Sequence, residues 1–212
     1  MFLPDEIYID DYLDYSWVFI NFKDYYGPER YLQDAIDDLA SGNDRRHYNN
    51  AVRNAKSALH MRVDIIYHCF CGTKTPRKIK SFPHKMDYLE SIGIVRPRII
   101  DKINKIRNEI EHEYRDATRE EAEDFVDIVL LFIEATKHLN SRFPSEINFY
   151  GICKKNNIKY LIKILCDFEC GKLNFIFEEQ NDLTSNKVHK EFIYAGTEAY
   201  IKWLNFINVN ND

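Results

Sequence analysis

The sequence predicts a mainly α chain, an up-and-down four-helix bundle over residues 28–142 followed by a small α+β extension over 145–212. Three observations predict it. Gly and Pro are sparse, 7 and 6 in 212 residues, which favours long helices over a turn-rich β fold. Tyr48, Val52, Ala55, Leu59, Val63, Ile66 and Phe70 recur at three- and four-residue steps, one apolar stripe on a helix spanning roughly 44–70. The connections between the periodic segments are short, so neighbouring helices run antiparallel.

The elements follow in order. Residues 1–27 are acidic and aromatic, and 15–22 read equally as a strand or a buried helical turn, because periodicity does not separate short apolar runs. Pro28 opens a short helix that stops near Gly42. After the long helix comes a basic loop over 72–83, then a short helix over 84–91 with Gly93 just past its end. A fourth helix spans 97–114, with Ile99, Ile103, Ile106 and Ile110 on one face. Thr118-Arg119-Glu120-Glu121 is a capping box that starts a fifth, carrying Ala122, Phe125, Val129, Phe132, Thr136 and Leu139 inward. Residues 141–145, with Pro144, mark a boundary. Beyond it 158–165 and 173–178 flank Cys170-Gly171-Lys172 as a hairpin, and 197–207 is an amphipathic helix.

Composition excludes several function classes. Hydrophobic residues at 45% and charged residues at 30% describe an ordinary globular chain. The net charge of −5 argues against indiscriminate coating of nucleic acid. The start lacks a basic region and an apolar run, and the most apolar stretch, 125–135, is short and broken by Asp127 and Glu134. No membrane partner is expected. Five cysteines form no disulfide framework, so a reducing cytoplasm is the expected compartment. Charge is also segregated: residues 1–44 hold eleven acidic and two basic side chains, whereas 72–107 hold ten basic and three acidic. That basic segment, with Lys74, Arg77, Lys78 and Lys80 in its loop, reads as a local anion site or as a solvated connector.

The chemistry-bearing stretch is Ile106-Arg107-Asn108-Glu109-Ile110-Glu111-His112-Glu113-Tyr114. At about 100° per residue the isoleucines share one face, Arg107 sits at its edge, and Asn108 and His112 point away. Two readings follow. In one, the far side is a solvated helix face with an Arg107–Glu111 ion pair. In the other, it forms a cleft with RNA or with a second copy of the chain.

This segment resembles the signature of HEPN domains, an Arg followed by a polar residue and, five positions after the Arg, a His. Arg107, Asn108 and His112 match it, and Tyr114 completes the Arg-x4-His-x-Tyr form of HEPN toxins paired with small nucleotidyltransferases. The bare spacing is expected by chance about 0.4 times in such a chain; with Asn and Tyr added the expectation falls to the order of 10⁻³. The resemblance covers roughly 28–142. It implies a homodimer that cleaves RNA with no metal and no cofactor. Arg107 would grip the scissile phosphate through its planar fork. His112, with an ordinary pKa of about 6.5, would take the proton of the attacking ribose 2′-hydroxyl, and Asn108 would orient the imidazole or hold a phosphate oxygen. The product would be a 2′,3′-cyclic phosphate, DNA would be spared, and Lys74, Arg77, Lys78 and Lys80 would attract the RNA backbone. By the same resemblance Tyr114 is a candidate for adenylate blockade by a nucleotidyltransferase antitoxin, against the plain reading of a packed or exposed tyrosine. Such an enzyme would serve as a toxin or phage-defence effector. The alternative is a non-catalytic HEPN module for binding or dimerisation.

Other constellations are weaker. His68-Cys69-Phe70-Cys71 with His84 matches no common zinc spacing and reads as a packed helix end. No Gly-rich phosphate loop and no Gly-x-Ser-x-Gly elbow occurs.

Overall fold

The helices begin where the sequence provides a start. In the computed structural model, which describes residues 2–10, 14–19, 27–72, 81–94, 115–180 and 187–211, Pro28 occupies the first turn of α1 (Pro28–Ser41) and Gly27 stands at its N-cap. The helix α2 (Arg45–Cys71) follows the long apolar stripe, and α3 (Phe82–Ser91) closes with Gly93 just beyond it. Thr118 caps α4 (Arg119–Thr136): its hydroxyl accepts from Glu121 N while the Glu121 carboxylate accepts from Thr118 N. The last helix, α5 (Glu198–Val209), is capped by the Thr197 hydroxyl, which accepts from Tyr200 N.

The expected architecture, a four-helix bundle with a small appendage, is overturned. Among the described residues five helices accompany a six-stranded antiparallel sheet, so the chain is α+β with a sheet as a principal element. The strands are β1 (Ile7–Ile9), β2 (Asp14–Val18), β3 (Phe143–Cys153), β4 (Lys159–Asp167), β5 (Lys172–Glu179) and β6 (Val188–Tyr194). The predicted hairpin is there as β4–β5. It is the centre of a meander in which β3 joins on one side and β6 on the other. Both β1 and β2 pair with the remaining edge of β3 as one interrupted strand. The β1 pairs end at Ile9 opposite Gly151, and β2 begins with Asp14 opposite Asn148.

Two compact units divide the chain, the first made of Met1–Ile20, Ile66–Ile94 and Ser141–Asp212, the second of Asn21–Ile65 and Val95–Asn140. In the first, alternation sorts the strands into two faces. Ile147 and Phe149 of β3, Ile162 and Ile164 of β4, and Leu173, Phe175 and Phe177 of β5 are all buried. Tyr200, Trp203, Leu204 and Ile207 of α5, spaced at one helical face, are buried as well. Trp203 lies 4.9 Å from Phe175 between ring centroids, and the Tyr15 hydroxyl of β2 donates to Ile207 O. Each such side chain stabilises by roughly 1.5–3 kcal/mol relative to exposure. The end of α2 joins the same core, since Phe70 packs on Phe143 and Phe168 and its carbonyl accepts from the Tyr200 hydroxyl at 2.6 Å. The chain turns there through Gly72, at φ +67°, against Gly171, at φ +60°. A Cβ on Gly72 would lie 2.6 Å from Gly171 N, so both positions require glycine.

In the second unit the described elements are helical. Leu32 and Ala35 of α1, Ala51, Val52, Ala55, Ala58, Leu59 and Val63 of α2, and Ala122, Phe125, Val126, Val129, Phe132 and Ile133 of α4 are buried. The inward set expected for α4 matches, including Thr136, and Leu139 in the 3₁₀ turn Lys137–Asn140. Arg62 is buried among them at 1% exposure. Its guanidinium donates to Thr136 Oγ1 and Asn140 Oδ1, each at 2.8 Å, and to Thr136 O. Among the described residues no helix is long and apolar enough to cross a membrane.

Candidate functional site

Arg107, Asn108, His112 and Tyr114 lie outside the described residues, as do the predicted helix over 97–114 and the loop lysines and arginine, Lys74, Arg77, Lys78 and Lys80. The structure does describe the residues that follow the motif. The Arg115 guanidinium grips the Glu121 carboxylate with two donors, at 2.8 and 2.9 Å. Asn49 of α2 accepts from Ala117 N at 2.9 Å and donates to Asp116 at 2.8 Å, and Arg45 lies 3.5 Å from the same carboxylate. Arg119 donates to Asn43 Oδ1 at 2.8 Å. Residues 115–119 are thereby fastened to the start of α2 and to the cap of α4.

That anchor is pH-dependent. The Arg115 guanidinium holds the Glu121 carboxyl below its ordinary range; burial opposes it, and the Thr118 backbone adds to the lowering. A carboxyl depressed in the folded state contributes stability above its unfolded pKa and loses it as pH falls through the folded one. Glu121→Gln is therefore expected to melt below wild type at pH 7, with the two curves converging as pH falls below about 4. Thermal melts across pH 3–7 test this; a constant gap would show that Glu121 acts only as a cap.

Burial disfavours the thiolate at two of the cysteines. Burial raises the Cys71 thiol above its ordinary pKa, an effect that the Tyr88 and Tyr67 hydroxyls beside it only partly oppose. Those two buried hydroxyls have no geometric hydrogen-bond partner among the described residues and stand beside the thiol. Burial also pushes the Cys166 thiol up. The Cys69/Cys71 end of α2 packs as a helix end, with Phe70 and Cys71 buried. Among the described residues no group of three His, Cys, Asp or Glu could hold a metal ion. A groove of about 490 Å³ is lined by Pro4, Ile201, Phe206 and Val209 together with Asp5 and Lys202. Its polar atoms are engaged locally: Lys202 with Glu198 at 3.0 Å, and the Asn205 amide with Ser91 O at 3.2 Å.

Sequence reasoning missed the second face of the sheet. Pairing sets Lys172 opposite Tyr194, Asn174 opposite Phe192 and Ile176 opposite Lys190, all on the side away from the buried phenylalanines of β5. Phe192 and Tyr194 are 57% and 48% exposed. Their rings meet edge to face at 5.4 Å, and Lys172 Nζ stands 4.4 Å from the Phe192 centroid and 5.9 Å from that of Tyr194. The available signal was the alternation within Val188-His189-Lys190-Glu191-Phe192-Ile193-Tyr194, legible as a strand only beside β5. No protein-family model matches the chain, and neither a curated protein nor a solved structure matches it.

Proposed function

We propose that the chain is a metal-independent endoribonuclease with Arg107 and His112 as its reacting pair. The observation that carries this reading is the spacing Arg107-Asn108-x3-His112-x-Tyr114, similar to HEPN ribonucleases in the motif alone, since the bundle that the resemblance implied is not the architecture found. The anchoring of Asp116 and Ala117 to Asn49 supports it, because a general base works only when its chain is held in register. His112 takes the 2′-hydroxyl proton as that oxygen attacks phosphorus. The P–O5′ bond breaks, the departing O5′ takes a proton from water, and a 2′,3′-cyclic phosphate remains. Arg107 offsets the charge gathering on the phosphoryl oxygens, and Asn108 holds the imidazole or one of those oxygens.

The active form is a homodimer in which two copies of the motif share one cleft and exclude water, strengthening each charge interaction. Tyr114 is where a nucleotidyltransferase antitoxin would act, and the cytoplasm is where such a toxin or defence effector would meet RNA. The test is incubation of wild type and His112→Ala with total RNA in EDTA, with cyclic-phosphate ends as the readout. Cleavage that needs Mg²⁺ would remove this mechanism.

The basic loop carries its own expectation. Replacing Lys74, Arg77, Lys78 and Lys80 with alanine should weaken RNA binding and reduce the salt slope by about 0.7 for each phosphate of a single strand that is no longer neutralised. Titrations at several salt concentrations measure it. An unchanged slope would leave the loop a solvated connector.

A further inference from the structure

We propose that the outward face of the β5–β6 hairpin is a stacking platform for single-stranded RNA, with bases on Phe192 and Tyr194 and phosphates on Lys172 and Lys190. The proposal deepens the ribonuclease reading and rests on it for the identity of the polymer. Two large rings stand exposed at successive outward positions of one strand, a step of roughly 6.6 Å, instead of joining the apolar core on the other face. Rings so placed receive bases of any sequence, because every base has a π-face.

The cations beside them are the ones left for phosphates. Lys159 and Lys163, on the same face, are engaged by Asp10 and Glu146. Lys172 stands over the rings, Lys190 faces the same side, and among the described residues neither forms an ion pair. Asp167, across from Lys172, accepts from Cys170 N at 3.1 Å. Asn174, opposite Phe192, adds an amide that can read a base edge. Glu178, on the same face, stands opposite Val188, two cross-strand pairs beyond the Asn174–Phe192 pair. Among the described residues, the free charge beside the rings themselves is therefore that of Lys172, and a polyanion with flat bases satisfies both that charge and the rings.

The experiment uses the full chain carrying His112→Ala, in EDTA, with a labelled single-stranded RNA and the matching duplex, read by fluorescence anisotropy. Adding Phe192→Ala and Tyr194→Ala should weaken the single strand by about tenfold or more and leave the duplex nearly unchanged. Phe192→Tyr should keep the affinity. Lys172→Ala with Lys190→Ala should lower the salt slope by about 1.4. The rings are exposed, so coincident thermal melts will establish that the variants fold. The proposal is overturned by unchanged single-strand affinity in the alanine pair, by no RNA binding at all, by equal loss on the duplex, or by sedimentation showing a wild-type dimer that those alanines dissociate. Cleavage by the wild type is scored separately. Binding through these rings without cleavage removes the nuclease reading and keeps the platform; cleavage with ring-independent binding does the reverse.

Discussion

Arg62→Ala is expected to lower the melting temperature by roughly 6–20 °C, the counterpart of losing about 3–5 kcal/mol in a chain of this size. The guanidinium is buried, and it donates to neutral acceptors at the end of α4 and in the following turn: Thr136 Oγ1, Thr136 O and Asn140 Oδ1. Truncation strands the two buried Thr136 acceptors away from water, each at about 1–3 kcal/mol, and opens a cavity the length of the side chain. Thr136 has a second use for its hydroxyl, which donates to Phe132 O at 2.9 Å, so part of the loss is absorbed there. Arg62→Lys should fall between, because a single ammonium cannot reproduce a planar fork. Differential scanning calorimetry decides the matter: an Arg62→Ala chain melting within about 2 °C of wild type, under 1 kcal/mol at this size, would show the clamp to be energetically idle. The consequence for function runs through helix position, since Arg62 ties the same α2 that, at Asn49, holds the residues following the motif.

His112→Ala is expected to slow RNA cleavage by roughly 10²–10⁴-fold while leaving the melting temperature near that of wild type. The magnitude is what one positioned general base is worth, and residual activity would come from Arg107 and binding. Arg107→Lys should also cost activity, because an ammonium replaces two parallel donors by one point charge. A double variant should lose less than the product of the two single effects if the residues act on one transition state. Single-turnover rates in EDTA measure all three. A His112→Ala chain that cuts at the wild-type rate would transfer the chemistry to other residues; one that no longer folds would make His112 a structural residue. Together with Arg62→Ala the pair separates two roles, stability without chemistry and chemistry without stability.

The helices were legible wherever a local signal marks both ends. Pro28 starts α1, the stripe from Tyr48 to Phe70 traces α2, and the Thr118/Glu121 box starts α4. The hairpin β4–β5 was legible too, from two β-branched and aromatic runs around Gly171. The remaining strands were not. In β3 the inward positions run Ile147, Phe149, Gly151, Cys153, and Pro144 near its start reads as a boundary although a register shift lies opposite it. β6 carries charge on both faces, Lys190 outward and Glu191 on the other side, because it is exposed. β1 has three residues, and its partner lies at the far end of β3, from Gly151 to Cys153. Of the candidate site, the motif was legible as spacing, and the stacking face was not.

Whatever depends on neighbours within a few turns was written in the chain itself: helix starts, the apolar stripes of α2 and α4, the hairpin turn, and the spacing of Arg107, Asn108 and His112. How much of the chain is sheet was settled only by the folded arrangement. Residues 7–9 and 14–18 contribute strands only because β3 offers an open edge more than a hundred residues away, and the far end of α2 enters the core of that sheet through Phe70. The reason is physical. A helix satisfies its backbone hydrogen bonds within itself, so its pattern is written locally. A strand satisfies them on a partner, and the partner's address is not in the strand.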